Sequence, residues 1–243
     1  MRRDVLLTQM VSRLTKALGP KLESVVLYGP EAHGDTYREV SPLHLMIVLV
    51  DLEPATLSLL NDPVHWWIAQ EQPWPRFFTR ALIRDSLDVF PIELFDIQRH
   101  HRVLHGSDPV VGLEIDRAHM RIQCERELRE KLMRLREGFV ESRGASKPLR
   151  HLLAASYVSF APVWRGCLHL LGEPVPVHDG EVVRALCAKL GLDVASFDEV
   201  ARIASEAASS LDASAVYGRY HREIAEMVAR IDQLVIGAGG EAR

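Results

Sequence analysis

The residues with the clearest chemical potential lie in one stretch, LYGPEAHGDTYREVSPLHLMIVLVD, at positions 27 to 51. Gly29 and Gly34 bracket a turn, and glycines in a turn allow backbone amide groups to approach a phosphate closely. Four polar residues of the stretch could also contact a ligand, namely His33, Asp35, Ser41 and His44. The stretch therefore predicts either a phosphate-binding turn or an ordinary tight connection between two strands.

Histidines offer a second kind of chemistry, because neutral imidazole binds Zn²⁺ and other transition metals well and Mg²⁺ poorly. A pocket for such a metal could be lined by His33, His44, Glu93 and Asp96. The segment RHHRVLH at 99 to 105 could likewise meet a phosphate or a metal. The commoner situations are a histidine held by ordinary hydrogen bonds and a polar connecting segment, and we expect these here.

The elements that position the turn follow from the hydrophobic pattern. Apolar residues from Val5 to Leu18 recur at helical spacing, and GP at 19 to 20 ends that helix. LESVVLY at 22 to 28 is typical of a short buried strand, and LHLMIVLVD at 43 to 51 of a second strand. The glycine turn therefore joins two strands.

Beyond the second strand the pattern alternates again. A helix is predicted from Pro54 to about Gln70, and RFFTRALIRD at 76 to 85 is interpreted as helical. DVFPIELFDIQ at 88 to 98 is interpreted as a third strand, with Glu93 and Asp96 on opposite faces. An aromatic group could stack on bases, although packing around a helix pair broken by prolines is the commoner role of such residues: Trp66, Trp67, Trp74, Phe77 and Phe78.

The second half of the chain is helical throughout. Five helical segments follow Leu113, which predicts an antiparallel bundle, and Pro162 predicts a kink or break near residues 158 to 161. We therefore expect an α+β protein with two domains, a mixed sheet with flanking helices at 1–112 and an all-α bundle at 113–243. The three widely spaced cysteines are expected to be free buried thiols.

Composition narrows the class of protein. Hydrophobic residues make up 47% and charged residues 26%, which is typical of a globular protein. The net charge of -4 gives no general reason to bind nucleic acid, and no apolar run is long enough to span a membrane. The basic start of the chain lacks a continuous apolar core, so we expect an amphipathic helix of a cytoplasmic protein.

The stretch that contains the turn resembles the signature of the nucleotidyltransferase superfamily, the fold of DNA polymerase beta and kanamycin nucleotidyltransferase. VVLYG matches a first strand ending in Gly-Ser, AHGD matches the segment with the second glycine, and SPLHLMIVLVD matches the strand that carries Asp-x-Asp. PIELFDIQRHHRVLHGSDPV is similar to the third-strand region of bacterial members, where Glu93 resembles the third carboxylate. The resemblance implies Mg²⁺ ions and a nucleoside triphosphate in active members.

This chain departs from that signature at its chemical positions. Pro30 stands where the serine would be, and Pro42 and His44 stand where the two aspartates would be, which leaves Glu93 alone of three expected carboxylates. No catalytic residue is therefore assigned. The predicted ligand-binding residues are Gly29, His33, Gly34, Asp35, Ser41, His44 and Glu93.

These departures predict a protein that has lost metal-dependent nucleotidyl transfer and binds a nucleotide-like ligand or a protein partner. One alternative is a divergent active enzyme that modifies a small molecule or a protein, using Mg²⁺, a triphosphate and carboxylates such as Asp35, Glu39, Glu93 and Asp96. Another is an oligomerising scaffold or toxin-antitoxin-type partner that uses the helical half. The helical half also resembles the bundle that accompanies bacterial members of the superfamily. A related helical family with RNase activity carries an Arg followed by a His at a spacing of four to six residues, whereas Arg165 and His169 have only three residues between them, so we do not expect a nuclease.

Overall fold

The computed structural model describes residues 3–33, 42–205, 207 and 210–234. The chain divides into two compact units. The first comprises Met1–Leu87 with Leu94–Glu114, and the second comprises Asp88–Glu93 with Ile115–Arg243.

The first unit contains a mixed four-stranded sheet. Its strands are β1 (Leu22–Tyr28), β2 (His44–Leu49), β3 (Arg76–Phe78) and β4 (His101–Gly106), in the spatial order β3-β2-β1-β4. β1 is antiparallel to both β2 and β4, and β2 is parallel to β3. The two strands predicted on either side of the glycine turn are confirmed, and both are central strands of the sheet.

Helices cover one face of this sheet. The helices of the first unit are α1 (Arg3–Leu18), α2 (Pro30–His33), α3 (Pro54–Ser58), α4 (Asn61–Ile68), α5 (Arg80–Asp85) and α6 (Pro91–Arg99), the last of which begins in the second unit. A buried core joins α1 and α4 to the sheet through Met10, Leu14, Leu27, Ile47 and Trp67. Because side chains alternate along a strand, His44, Met46 and Val48 face away from this core.

The helix predicted from Pro54 to Gln70 is two helices, α3 and α4. Pro63 explains the interruption, since in one continuous helix it would lack a backbone donor and clash with the carbonyl of Leu59. In the observed structure Pro63 lies in the first turn of α4, where a missing donor is tolerated.

The helix predicted over residues 76 to 85 is wrong in its first part. Arg76–Phe78 form β3, and the helix begins only at Arg80. Thr79 is the N-cap, and its side-chain oxygen accepts a hydrogen bond from the backbone of Leu82 at 3.1 Å. A capping threonine after two phenylalanines, residues that favour strands, marks the boundary.

The strand predicted over residues 88 to 98 is wrong, because α6 occupies most of it. Pro91 is the first helical residue, a position that proline favours. Glu93 and Asp96 are less buried than their apolar neighbours and are three residues apart, so they share one helical face rather than opposite faces of a strand. The segment predicted as a polar connection at 99 to 105 is instead mostly β4, an edge strand paired with β1.

The described part of the second unit is helical. Its helices are α7 (Arg117–Ser142), α8 (Ser146–Leu170), α9 (Asp179–Leu190), α10 (Ala195–Ala204) and α11 (Ala213–Asp232). Aromatic rings from α8, α10 and α11 meet in its core: Tyr157, Phe160, Trp164, Phe197 and Tyr220. The three cysteines are buried and free, as predicted.

The sequence predicts a kink or a break near residues 158 to 161; α8 runs through Pro162 as one helix, so there is no break, and the kink stays a prediction. Pro162 removes one backbone hydrogen bond. The helix continues because Phe160, Ala161, Val163 and Trp164 are buried on both sides of the proline. Across the described residues, no helix combines the length and apolar character needed to cross a membrane.

Candidate functional site

The site predicted from the sequence lies where β1 ends. Gly29 follows Tyr28 with a φ of +83°, a conformation that favours glycine, and α2 begins at the next residue. The backbone N–H of Ala32 donates to the Gly29 carbonyl at 2.9 Å, which closes the turn. A Cβ at position 29 would lie 3.2 Å from Cδ2 of His44, so glycine also favours the close approach of His44.

His44 is the first residue of β2 and lies directly opposite Tyr28 on β1. The two rings are tilted by 40° with centroids 5.7 Å apart. Burial, and secondly the nearby Arg76 guanidinium, lower the pKa of His44 below its ordinary value of 6.5. At neutral pH His44 is therefore uncharged, and it can donate or accept a hydrogen bond.

Arg76 is a residue of the site that the sequence analysis missed. β3 runs parallel to β2, with Arg76 opposite Met46, and Met46 shares the face of His44. The Arg76 side chain is exposed, yet it lies close enough to His44 to act on its pKa. The sequence does carry a signal for this strand, because Phe77 and Phe78 after Arg76 favour a strand. The interpretation of the segment as helical overlooked it.

A further histidine borders the site on β4. His101 lies opposite Tyr28, so His44, Tyr28 and His101 form a row across three strands. The imidazole Nε2 of His101 is 3.0 Å from Oδ2 of Asp108, and Oδ1 of Asp108 accepts a hydrogen bond from the backbone of Val110 at 2.9 Å. Asp108 therefore fixes the orientation of His101.

No carboxylate lies on the His44 face of the described strands. The residues of this face, assigned by alternation and pairing, are Ser24, Val26, Tyr28, His44, Met46, Val48, Arg76, Phe78, His101 and Val103. Nor does any group of three or more His, Cys, Asp or Glu side chains in the described residues have a geometry that could hold a metal ion. These residues do not fit Mg²⁺, which needs oxygen ligands.

Glu93 is not a strand residue. It lies in the first turn of α6 and belongs to the second unit. Its Oε2 accepts a hydrogen bond from Nε2 of Gln123 at 2.8 Å, while Oε1 of Gln123 accepts one from the backbone of Ile92 at 2.7 Å. This arrangement connects the start of α6 to α7. A ligand role for Glu93 stays a prediction, although the strand that was expected to carry Glu93 is a helix.

Of the other residues singled out in the sequence, one has a described side chain and four do not. Pro42 is exposed and precedes β2, where the backbone N–H of Leu43 donates to Oε1 of Gln72 at 3.0 Å. Gly34, Asp35 and Ser41 lie outside the described residues. His33 ends α2, and its side chain also lies outside the description. Ligand binding by these four residues stays a prediction.

A cleft of about 480 Å³ lies on the helix-covered side of the sheet, beside the same turn. Its apolar floor includes Leu7, Leu27 and Leu43, which belong to the core formed with α1. An ion pair between Arg3 and Glu31 lies at this cleft. His101 of β4 also lines this cleft, so the cleft adjoins the row of residues that contains His44.

The sequence matches no protein-family model and no curated protein. Among solved structures, the chain is similar to spectinomycin adenyltransferase AAD(9) from Enterococcus faecialis, whose crystal structure contains ATP and spectinomycin. The TM-score is 0.54 at 11% sequence identity, and the match covers 93% of this chain and 98% of that chain. This likeness shows the fold. The predicted α+β fold, with a nucleotidyltransferase-like mixed sheet and helices, is confirmed.

Proposed function

We propose that this protein, which has a nucleotidyltransferase-like fold, binds a phosphate-bearing, nucleotide-like small molecule at the Gly29 turn without a metal ion. Metal-dependent nucleotidyl transfer is not part of the proposed function. ATP in the structurally similar adenyltransferase supports a nucleotide as the class of ligand.

The observation that carries the proposal is the position of Arg76 beside His44, on a face to which the described strands themselves contribute no carboxylate. In the superfamily, aspartates hold Mg²⁺, and the metal neutralises the phosphate charge. Here the guanidinium can supply positive charge directly. Arginine is suited to this task because it can donate two parallel hydrogen bonds to a phosphate.

His44 complements Arg76 through a hydrogen bond rather than a charge. Because its pKa is lowered, its neutral ring can donate one N–H to a phosphate oxygen at pH 7. Gly29 contributes by leaving space beside the ring, where any side chain would crowd His44. The site is therefore small, local and positively charged, in a chain whose net charge is -4.

Arg76→Gln tests the proposal by removing the charge while keeping a polar side chain. A hydrogen bond to a charged group contributes roughly 1.5–3 kcal/mol, so we expect the variant to bind ATP at least about tenfold more weakly. Titration calorimetry in EDTA measures the dissociation constant. The control is Arg84→Gln, since Arg84 is an exposed arginine on α5 of the same unit, and its loss should not change affinity.

Two results would contradict the proposal. One is equal ATP affinity of the wild-type protein and Arg76→Gln. The other is transfer of a nucleotide by the wild-type protein with Mg²⁺ or Mn²⁺ that is abolished in Glu93→Gln, which would support the active-enzyme alternative.

A further inference from the structure

An arginine of α7 donates a hydrogen bond to a histidine of α11, and both helices belong to the second unit. Nε of Arg136 lies 3.0 Å from Nε2 of His221. A guanidinium has donors but no acceptor and stays charged in proteins, so Nε2 of His221 must be the acceptor. His221 is therefore a neutral imidazole that carries its proton on Nδ1. A second proton would have to bind at Nε2, the atom that already accepts the bond from Arg136.

Aromatic stacking holds the His221 ring in this position. Tyr217, one turn earlier on α11, stacks on the imidazole at 23° with centroids 5.7 Å apart. Tyr217 also stacks on Phe139 of α7, at 16° with centroids 4.1 Å apart. Its hydroxyl donates to the Leu135 carbonyl of α7 at 3.4 Å. The bond from Arg136 is thus one of a small group of contacts that attach the middle of α11 to α7.

The surroundings of His221 disfavour its protonated form. Burial, and secondly the Arg136 guanidinium, lower the pKa of His221 below its ordinary value of 6.5. The residues three and four positions from His221 on α11, and from Arg136 on α7, are uncharged at neutral pH: Tyr217, Gly218, Ile224 and Ala225, and Leu132, Met133, Phe139 and Val140. No carboxylate at these positions can therefore compensate an imidazolium.

Other charged side chains of the packed helices have partners away from His221. These contacts are the pairs Arg129–Asp232 with α7 and Arg219–Glu199 with α10, the bond of Glu223 to the backbone of Asp193 after α9, and the bond of Arg150 on α8 to the Leu211 carbonyl. Asp232 is three turns from His221, while Arg219 and Glu223 are two positions from it and lie on the opposite side of α11. Arg136 is therefore the charged group that acts on His221.

We infer that His221 is an acid-sensitive contact between α7 and α11: its neutral ring accepts the bond from Arg136, and protonation of the ring breaks that bond and loosens α11. Once Nε2 carries a proton, two donors and two positive charges face each other. The unfolded chain, in which His221 has its ordinary pKa, takes up this proton more readily than the folded protein. The stabilising effect of the contact is therefore present at neutral pH and is lost as the pH falls below 6.5.

His221→Gln separates the hydrogen bond from the proton, because the glutamine amide oxygen can accept from Arg136 and does not titrate. Backbone hydrogen exchange in α11 is measured for the wild-type protein and His221→Gln at pH 7 and at pH 5. We expect equal protection of α11 at pH 7. At pH 5 the wild-type protein should lose protection in the middle of α11, whereas His221→Gln should keep it. Comparing the two proteins at the same pH removes the pH dependence of exchange itself.

An NMR titration of the His221 ring tests the same inference without changing His221. In the wild-type protein the midpoint should lie below 6.5, and in Arg136→Gln, which lacks the facing cation, it should move upward. A purely structural role for Arg136 would leave this midpoint unchanged.

His151→Gln is the control, since His151 is exposed on α8, and this variant should lose α11 protection at pH 5 as the wild-type protein does. Circular dichroism establishes that each variant is folded. Equal protection of α11 in the wild-type protein and His221→Gln at pH 5 would overturn the inference. So would a wild-type His221 midpoint at or above 6.5. Neither result bears on the proposed function, which concerns the first unit.

Discussion

At His44 an imidazole occupies the position that the superfamily resemblance gives to an aspartate, and the two groups respond to pH differently. An aspartate that holds a metal stays ionised above about pH 4. The pKa of His44 lies below 6.5 because of burial and of Arg76, so His44 gains a proton only as the pH falls below that value. The replacement therefore changes the charge of the site from negative to neutral or positive.

This difference predicts a pH dependence of ligand binding. A bound phosphate favours the imidazolium form, so it raises the pKa of His44 and couples binding to proton uptake. Affinity for ATP should therefore rise as the pH falls from 7 towards 5, and the rise should be smaller in His44→Gln. Dissociation constants are measured across this pH range for both proteins. The difference between the two pH profiles reports His44, because protonation of ATP itself affects both profiles equally.

His151→Gln is the control for that experiment, since His151 is exposed on α8 and should not alter the pH profile. Identical profiles for the wild-type protein and His44→Gln would show that His44 does not contact the phosphate.

The sequence shows directly which residues stand at the turn, whereas it does not show which strands pair with one another. Pro30, Pro42 and His44 follow the glycine of a recognisable signature, so the missing groups were evident without a structure. Arg76 and His101 join the site through the pairing of β3 with β2 and of β4 with β1. Pairing between distant segments leaves little trace in a single sequence.

At the scale of elements, strongly patterned segments were predicted well and short ones poorly. β1 contains an apolar run at 25–27 and β2 one at 45–49, and the sequence predicts both strands. β3 has only three residues and α6 only nine. Such short segments do not allow the hydrophobic pattern to distinguish helical spacing from the alternation of a strand. The error at α6 had a functional consequence, because it gave Glu93 the place of a third metal carboxylate.

In the helical unit, a buried ion pair joins α8 to α9. Arg165 and Asp179 are bonded to each other, and their side chains are only 6% and 7% exposed. The same Arg165 was the arginine of the possible RNase motif with His169. Within the bundle its guanidinium has a structural partner, because an unpaired charge in this core would be costly.

Breaking this pair should be strongly destabilising. In Arg165→Ala the Asp179 carboxylate stays buried without its cation, and we expect the free energy of unfolding to fall by about 3–5 kcal/mol. Chemical denaturation measures this change. Arg184→Ala is the matched control, since Arg184 joins α9 to α10 through an exposed pair with Asp198 at 2.9 Å and should cost less than about 1 kcal/mol. If Arg165→Ala and Arg184→Ala lost equal amounts of unfolding free energy, the buried pair would be no more important for stability than the exposed one, which would contradict this prediction.

For the whole molecule, the mixed sheet followed by helices was predictable because the hydrophobic period changes along the chain. A division into domains at 1–112 and 113–243 stays a prediction, as do a protein partner, a homo-oligomer and the cytoplasmic location. The net charge of -4 opposes binding of long polyanions such as nucleic acid, so the positive site at Arg76 acts only at short range.

The metal dependence of ATP binding tests the central claim most directly. Titration calorimetry of the wild-type protein with ATP, once in EDTA and once with excess Mg²⁺, should give binding in EDTA that is at least as tight as with Mg²⁺, because Arg76 neutralises the phosphate and Mg²⁺ would compete with it. Binding that requires Mg²⁺ and disappears in EDTA would contradict the account, because it would show that the site still works through a metal ion.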